Sequence, residues 1–146
     1  MQTVAHILNS KQQKTVWSIA PSAMVIDAVK LFADKGIGAL LVVAEGQVVG
    51  IVTERDYARK VHLLGRSSDD TPVRDIMTSD VMYVRPDQTN EQCMALMTEN
   101  RLRHLPVMDN GKLVGLISIG DLVKDIISEQ QFIIQQLEHY ITGERG

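Results

Sequence analysis

GALLVVAEGQVVGIVTERD at 38–56 and RHLPVMDNGKLVGLISIGD at 103–121 are one pattern written twice, 65 residues apart. In each, an apolar run of strand-forming residues meets a two-residue turn, Glu45-Gly46 or Asn110-Gly111, and a second apolar run leads back. Asn-Gly between β-rich runs is the strongest short-range hairpin signal, because both turn residues of a tight hairpin need positive φ. The second run passes directly into a helix start, GIVTERD or GLISIGD, with Thr53 or Ser118 at the N-cap and an aspartate three residues on. That spacing is a variant of the capping box, in which hydroxyl and carboxylate satisfy the free N–H groups of a first helical turn.

Working outward, the copies align without a gap from Pro21/Pro86 to Arg59/Lys124, with identities at Leu31/Leu96, Leu40/Leu105, Val42/Val107, Gly46/Gly111, Val49/Val114, Gly50/Gly115 and Asp56/Asp121. Upstream, Val4-Ala5-His6-Ile7-Leu8 matches Val73-Arg74-Asp75-Ile76-Met77 once about four extra residues near Lys11 are set aside as a loop. Each copy opens on a short β-rich run, Val16 to Ile19 or Val81 to Val84, ending ahead of a proline that cannot extend a ladder. An amphipathic helix follows. Val25, Ala28, Val29, Phe32 and Ala33 mark it in the first copy, with Gly36 placed to end it, and Cys93, Met94, Leu96 and Met97 mark it in the second. The order β-α-β-β-α, twice over, predicts an α/β (α+β) fold in which two repeats, each too small to bury both faces of its sheet, form one pseudo-two-fold module. The expected boundaries are 1–64 for the first repeat, 65–72 for a polar linker, 73–127 for the second repeat and 128–146 for a C-terminal helical extension and tail. One helix should run from Ser118 to Ile141 with Gly143 as its cap. Its later apolar residues, Ile126, Ile127, Ile133, Ile134, Leu137 and Ile141, are more than a terminal tail needs.

The 146 residues are 45% hydrophobic, which excludes a disordered chain, and 15 Lys+Arg against 18 Asp+Glu give a net charge of −3, so no bulk positive field draws nucleic acid. The single cysteine, Cys93, excludes a disulfide framework or multi-thiolate zinc site and agrees with a reducing cytoplasm. His6, His62 and His139 are not at ligand spacing, so no metal is expected. The apolar run Ile37 to Ala44 is far shorter than a membrane span, and MQTVAHILNSKQQK has no apolar signal region; a cytoplasmic protein without membrane contact is expected. A nucleophile elbow and a P-loop are both missing, and Asp56 and Asp121 belong to separate repeats, so no catalytic residue and no enzyme is expected.

A helix start presents free N–H groups and the positive end of its dipole, which suits phosphate. Asp56 and Asp121 each add two acceptor oxygens that suit ribose hydroxyls. Capping alone is the plainer reading of one such motif; two at matched positions point to ligand binding. Met94 and Met97 read as core filler, and Trp17, whose counterpart is Met82, as packing.

The doubled unit, with h-G-h-h-[S/T]-x-x-D after a hairpin and Arg103-His104-Leu105-Pro106-Val107 on the preceding strand, resembles a pair of CBS domains, the cystathionine-β-synthase repeat, from about Val4 to about Ile127. The resemblance implies a free-standing Bateman module whose two clefts between repeats bind adenosyl ligands such as AMP, ADP, ATP, NAD(H) or S-adenosylmethionine. It implies regulation of an effector protein rather than catalysis, and a homodimer. Residue by residue, it implies a first cleft using Thr53 and Asp56, with Arg55 and Arg59 as cations and an adenine wall from Thr78, Asp80 and Val81. The second would use Ser118, Gly120 and Asp121, an adenine wall from Lys14 to Val16 and from Ile37, Gly38 and Ala39, and Arg103 and His104 as phosphate-binding cations. One copy has Gly38-Ala39 where the other has Arg103-His104, and Arg55 is matched by Gly120, so the clefts should be chemically unequal. A constitutive dimeric scaffold without physiological nucleotide binding is the alternative.

Overall fold

The computed structural model describes residues 2–11 and 14–142; Gly143, the expected helix cap, lies outside them. The chain packs as two units, a first unit of Thr15–Met82 and a second of Met1–Lys14 with Tyr83–Gly146. In the first, β1 (Ser18–Ile19) runs parallel to β2 (Ala39–Ala44), which pairs antiparallel with β3 (Gln47–Thr53). The first unit also holds α2 (Val25–Lys35), α3 (Glu54–Tyr57), a π-helical turn over Ala58–His62 and a 3-10 turn over Val73–Asp75. The second holds α1 (Val4–Ser10), α4 (Asn90–Asn100), the antiparallel hairpin β4 (His104–Asp109) and β5 (Lys112–Ser118), and α5 (Ile119–Thr142). The mixed α/β class expected from sequence is thus present, with the order β-α-β-β-α complete in the first unit.

Both hairpins turn on a positive-φ pair, Glu45-Gly46 (53° and 75°) and Asn110-Gly111 (51° and 77°), and both shift register one step after the buried valine, Val42 or Val107. Gly36 ends α2 in the left-handed region, its N–H on the Phe32 carbonyl. At the matching position Arg101 takes the same conformation.

One expectation is corrected. The run Val81 to Val84 forms no strand: only Val84 reaches the sheet, bridging Val107 through bonds with Pro106 and Met108 of 3.0 and 2.9 Å. The polar segment at 65–72 meets the start of α2. The N-cap of α2, Met24, offers no side-chain cap, and the first N–H groups of the helix are met by carbonyls of this segment, Val25 on Thr71 at 2.8 Å and Ile26 on Ser68 at 3.0 Å. Thr71 is accordingly buried.

Each unit has one apolar core. Val25, Ala28, Phe32, Leu40, Val42, Val52, Val61, Val73 and Ile76 form the first, while Ala33, expected on the same stripe, is exposed. Val4, Ile7, Val84, Cys93, Met97, Leu105, Val107, Ile117 and Leu122 form the second. Burial pushes the Cys93 thiol pKa up, which keeps it protonated as a packing group. Over each hairpin a segment from outside it crosses a bare glycine. A Cβ on Gly50 would stand 2.6 Å from Met77 Sδ and 3.0 Å from the Thr78 carbonyl; on Gly115 it would stand 2.7 Å from Leu8 Cδ2. The obstacle at Gly115 is a side-chain end, whereas Gly50 also meets backbone. Gly50→Ala should therefore cost about 1–3 kcal/mol in urea unfolding, and Gly115→Ala less; the reverse order would show that Leu8 is the more rigid neighbour.

Candidate functional site

The residues at each helix start are brought together as the sequence spacing requires. In the first unit Thr53 has extended backbone and caps α3: its hydroxyl accepts from the Asp56 N–H at 3.1 Å, and Asp56 Oδ2 accepts from the Thr53 N–H at 3.0 Å and lies 3.1 Å from its hydroxyl. Oδ1 is taken by Lys60 Nζ at 3.2 Å, which also donates to the Ile76 carbonyl at 2.9 Å. Both carboxylate oxygens of Asp56 are thus committed.

In the second unit the Ser118 N–H donates to Asp121 Oδ2 at 2.8 Å, and the Asp121 N–H returns to Ser118 Oγ at 3.1 Å. Oδ2 also meets Lys11 Nζ at 2.8 Å, and Lys11 donates to the Leu116 carbonyl at 2.8 Å. Lys11 is the C-cap of α1, 110 residues from Asp121 in sequence. Among the described residues nothing donates to Asp121 Oδ1, so this carboxylate keeps an open acceptor that Asp56 lacks. Neither lysine was among the residues singled out from sequence. Lys60 stands four residues after Asp56, a readable helical ion-pair spacing, whereas Lys11 carries no local signal.

The expected cations divide. Arg55, Arg59 and Arg103 are exposed, and the Arg103 carbonyl accepts from the Ile119 N–H at 2.8 Å. His104 is half-buried and sits opposite Ser118 in the β4–β5 register. Burial lowers its pKa; the Asp121 carboxylate pulls it up, and Lys11 and Arg103 push it down. Gly120 is exposed with room for a side chain, its nearest such neighbour Ser118 Oγ at 3.6 Å.

The expected adenine walls fall as follows. Thr78 lies in the same unit as Thr53 and exchanges both backbone bonds with Ile51, at 2.9 and 3.0 Å; Asp80 is exposed and Val81 half-buried. Gly38 and Ala39 lie in the first unit and adjoin Thr53: the Gly38 carbonyl accepts from the Glu54 N–H at 3.0 Å and Ala39 pairs with Thr53. Ile37 and Val16 are half-buried and Lys14 is exposed. Trp17 packs against the first core beneath Lys35, whose Nζ lies 4.6 Å from the ring centre. No group of three or more His, Cys, Asp or Glu side chains among the described residues could hold a metal ion, and no helix among them is long and apolar enough to cross a membrane.

Comparison with known proteins identifies the family and the fold. The CBS domain model matches twice, at 6–63 and 73–128. The CBS domain-containing protein CBSX3, mitochondrial, of Arabidopsis thaliana is 39% identical over 150 residues, spanning 97% of this chain and 72% of that protein. A protein with CBS domains from Burkholderia ambifaria MC40-6 superposes with TM-score 0.86 at 59% identity, over 88% of this chain and 96% of the other. The CBS domain pair of protein MJ0100, solved with 5′-methylthioadenosine and S-adenosyl-L-methionine, shares the fold with TM-score 0.75 at 23% identity, over 88% and 98% of the two chains.

The half-buried imidazole of His104 makes stability depend on pH. With its pKa held below the ordinary 6.5 in the folded state, His104 takes up a proton more readily when unfolded. Its contribution is thus fully present above that value and declines as pH falls toward the folded pKa. His104→Gln should flatten the fall in urea midpoint between pH 7 and pH 5; an unchanged fall would remove His104 as its source.

Proposed function

The chain belongs to the CBS domain family and carries the domain twice, and on that footing we propose that it is a regulatory protein which senses an adenosyl ligand. The ligand is held at the helix starts Thr53–Asp56 and Ser118–Asp121, and its presence is passed to an effector protein by differential affinity. The observation that carries this reading is Asp121: oriented by Ser118 and Lys11, half-buried, and still offering Oδ1 as an acceptor. A ribose hydroxyl is the complementary donor, and the 5′-methylthioadenosine and S-adenosyl-L-methionine of the structural neighbour are ligands of that class. The protein acts by binding, with the Ser118 site the stronger, because Asp56 must give up Lys60 or share an oxygen to receive a ligand.

The same reading includes a homodimer. Helix α5 exposes Ile127, Phe132, Ile133, Ile134, Leu137, Tyr140 and Ile141, more apolar surface than one helix leaves in water. Light scattering after size exclusion should find a dimer that Ile134→Glu with Leu137→Glu converts to monomer; a wild-type monomer would overturn the assembly.

The ligand reading is tested by calorimetric titration of protein stripped of carried-over ligand with AMP, ADP, ATP, NAD, NADH and S-adenosylmethionine. At least one should bind at micromolar concentration. Asp121→Ala should remove the tighter event and leave any weaker one, while Asp56→Ala spares the tighter. Silence across the panel leaves a constitutive scaffold.

A further inference from the structure

From 130 to 142 every residue of α5 is exposed. The first turns of the helix rest on the second core through Ile119 and Leu122, but this last stretch stands alone, and a lone helix so short is marginal in water unless a neighbour covers it. The stretch is also apolar along one side. Ile127, Gln130, Ile134, Leu137 and Ile141 stand at alternating steps of three and four residues, the spacing of a coiled-coil seam, with Ile133 and Tyr140 along its flank. The six apolar members are between 48% and 85% exposed. For large side chains that amounts to on the order of 600 Å² on one helix and about 1,200 Å² over two, where the range of specific, stable interfaces begins.

We infer that this stretch of α5 pairs with the same stretch of a second copy as a parallel, in-register coiled coil of about two heptads. Charge selects the occupant: no charged side chain lies between Glu129 and Glu138, so an identical helix can lie along the seam without setting like charges against each other. The seam residues select the direction. Isoleucine at 127, 134 and 141 with leucine at 137 is the alternation of β-branched residue and leucine that favours two parallel strands. In register, Gln130 meets the partner's Gln130, and the two amides can bond each other. Reversed about Ile134, Gln130 would be set against the partner's Leu137 with its amide unpaired. The inference rests on the homodimer reading and goes beyond it by fixing face, direction and register. It brings the two Ser118–Asp121 helix starts to the same end of the pair, whereas antiparallel pairing sends them to opposite ends.

Cysteine crosslinking tests this in the full chain, because the one native cysteine, Cys93, is buried. Ile127→Cys, Ile134→Cys, Ile141→Cys and, on the far side of the helix, Gln135→Cys are treated with a mild oxidant and run without reductant, beside light scattering of the wild type. All four positions are exposed, so the fold does not depend on them. In a parallel seam each isoleucine position faces its own copy, so all three should give disulfide-linked dimer at about tenfold or more the yield of Gln135→Cys. Linkage of Ile134→Cys alone identifies an antiparallel pair and overturns the inference. A wild-type dimer in which none of the three variants links overturns it too, and leaves the homodimer to another face. A wild-type monomer overturns the homodimer reading, and this inference with it.

Discussion

The bare backbone at Gly50 and Gly115 is what each unit is assembled around. A two-stranded hairpin buries too little to stand alone, and each is completed by a segment laid across its glycine, Met77 in one unit and Leu8 in the other. That crossing fixes what comes next in the chain. After Met77, the main chain of Thr78 closes on Ile51 with two bonds of 2.9 and 3.0 Å. After Leu8, the chain ends its helix instead, and the carbonyl at the corresponding position, Leu116, is answered by the ammonium of Lys11. A backbone donor in one repeat is thus replaced by a charged side chain in the other, and that side chain also reaches Asp121. Packing at Gly115 and the electrostatics of the candidate site are one arrangement.

The two aspartates show how identical residues become chemically different. Both close a reciprocal cap with the hydroxyl residue three positions earlier, so both are oriented alike. Lys60 takes the outer oxygen of Asp56, while Lys11 joins the backbone donor on the inner oxygen of Asp121 and leaves the other open. A difference in where a lysine enters, with no change at the acid, separates a carboxylate absorbed into the fold from one that still has hydrogen-bonding capacity to offer.

What could be read from the residues followed distance along the chain. The hairpins, their turns, the Gly36 end of α2 and the capping aspartates are set by contacts within a few positions, and periodicity with turn chemistry displays them. The short run before Val84 was over-read as a strand, since β-rich composition cannot tell a full ladder from one bridging residue. The polar stretch at 65–72 reads as a linker from its side chains, while the carbonyls by which it caps α2 leave no mark in a sequence. Lys11 lay beyond reach for the same reason: its two acceptors are contributed by β5 and α5, over a hundred residues away. The repeat could suggest where a carboxylate would stand but not which cation would face it, because Lys11 sits where the copies diverge.

Helix α5 starts at the candidate site and runs unbroken for 24 residues to Thr142. At 1.5 Å per residue it is a rod of about 36 Å, anchored at its first turn and exposed along its last turns. A rod of that length is a lever with its fulcrum beside Asp121: a tilt of about 5° at the base carries the far end about 3 Å, roughly the width of an atomic contact. Displacements too small to disturb the core around Leu122 are thereby enlarged where the helix meets its surroundings.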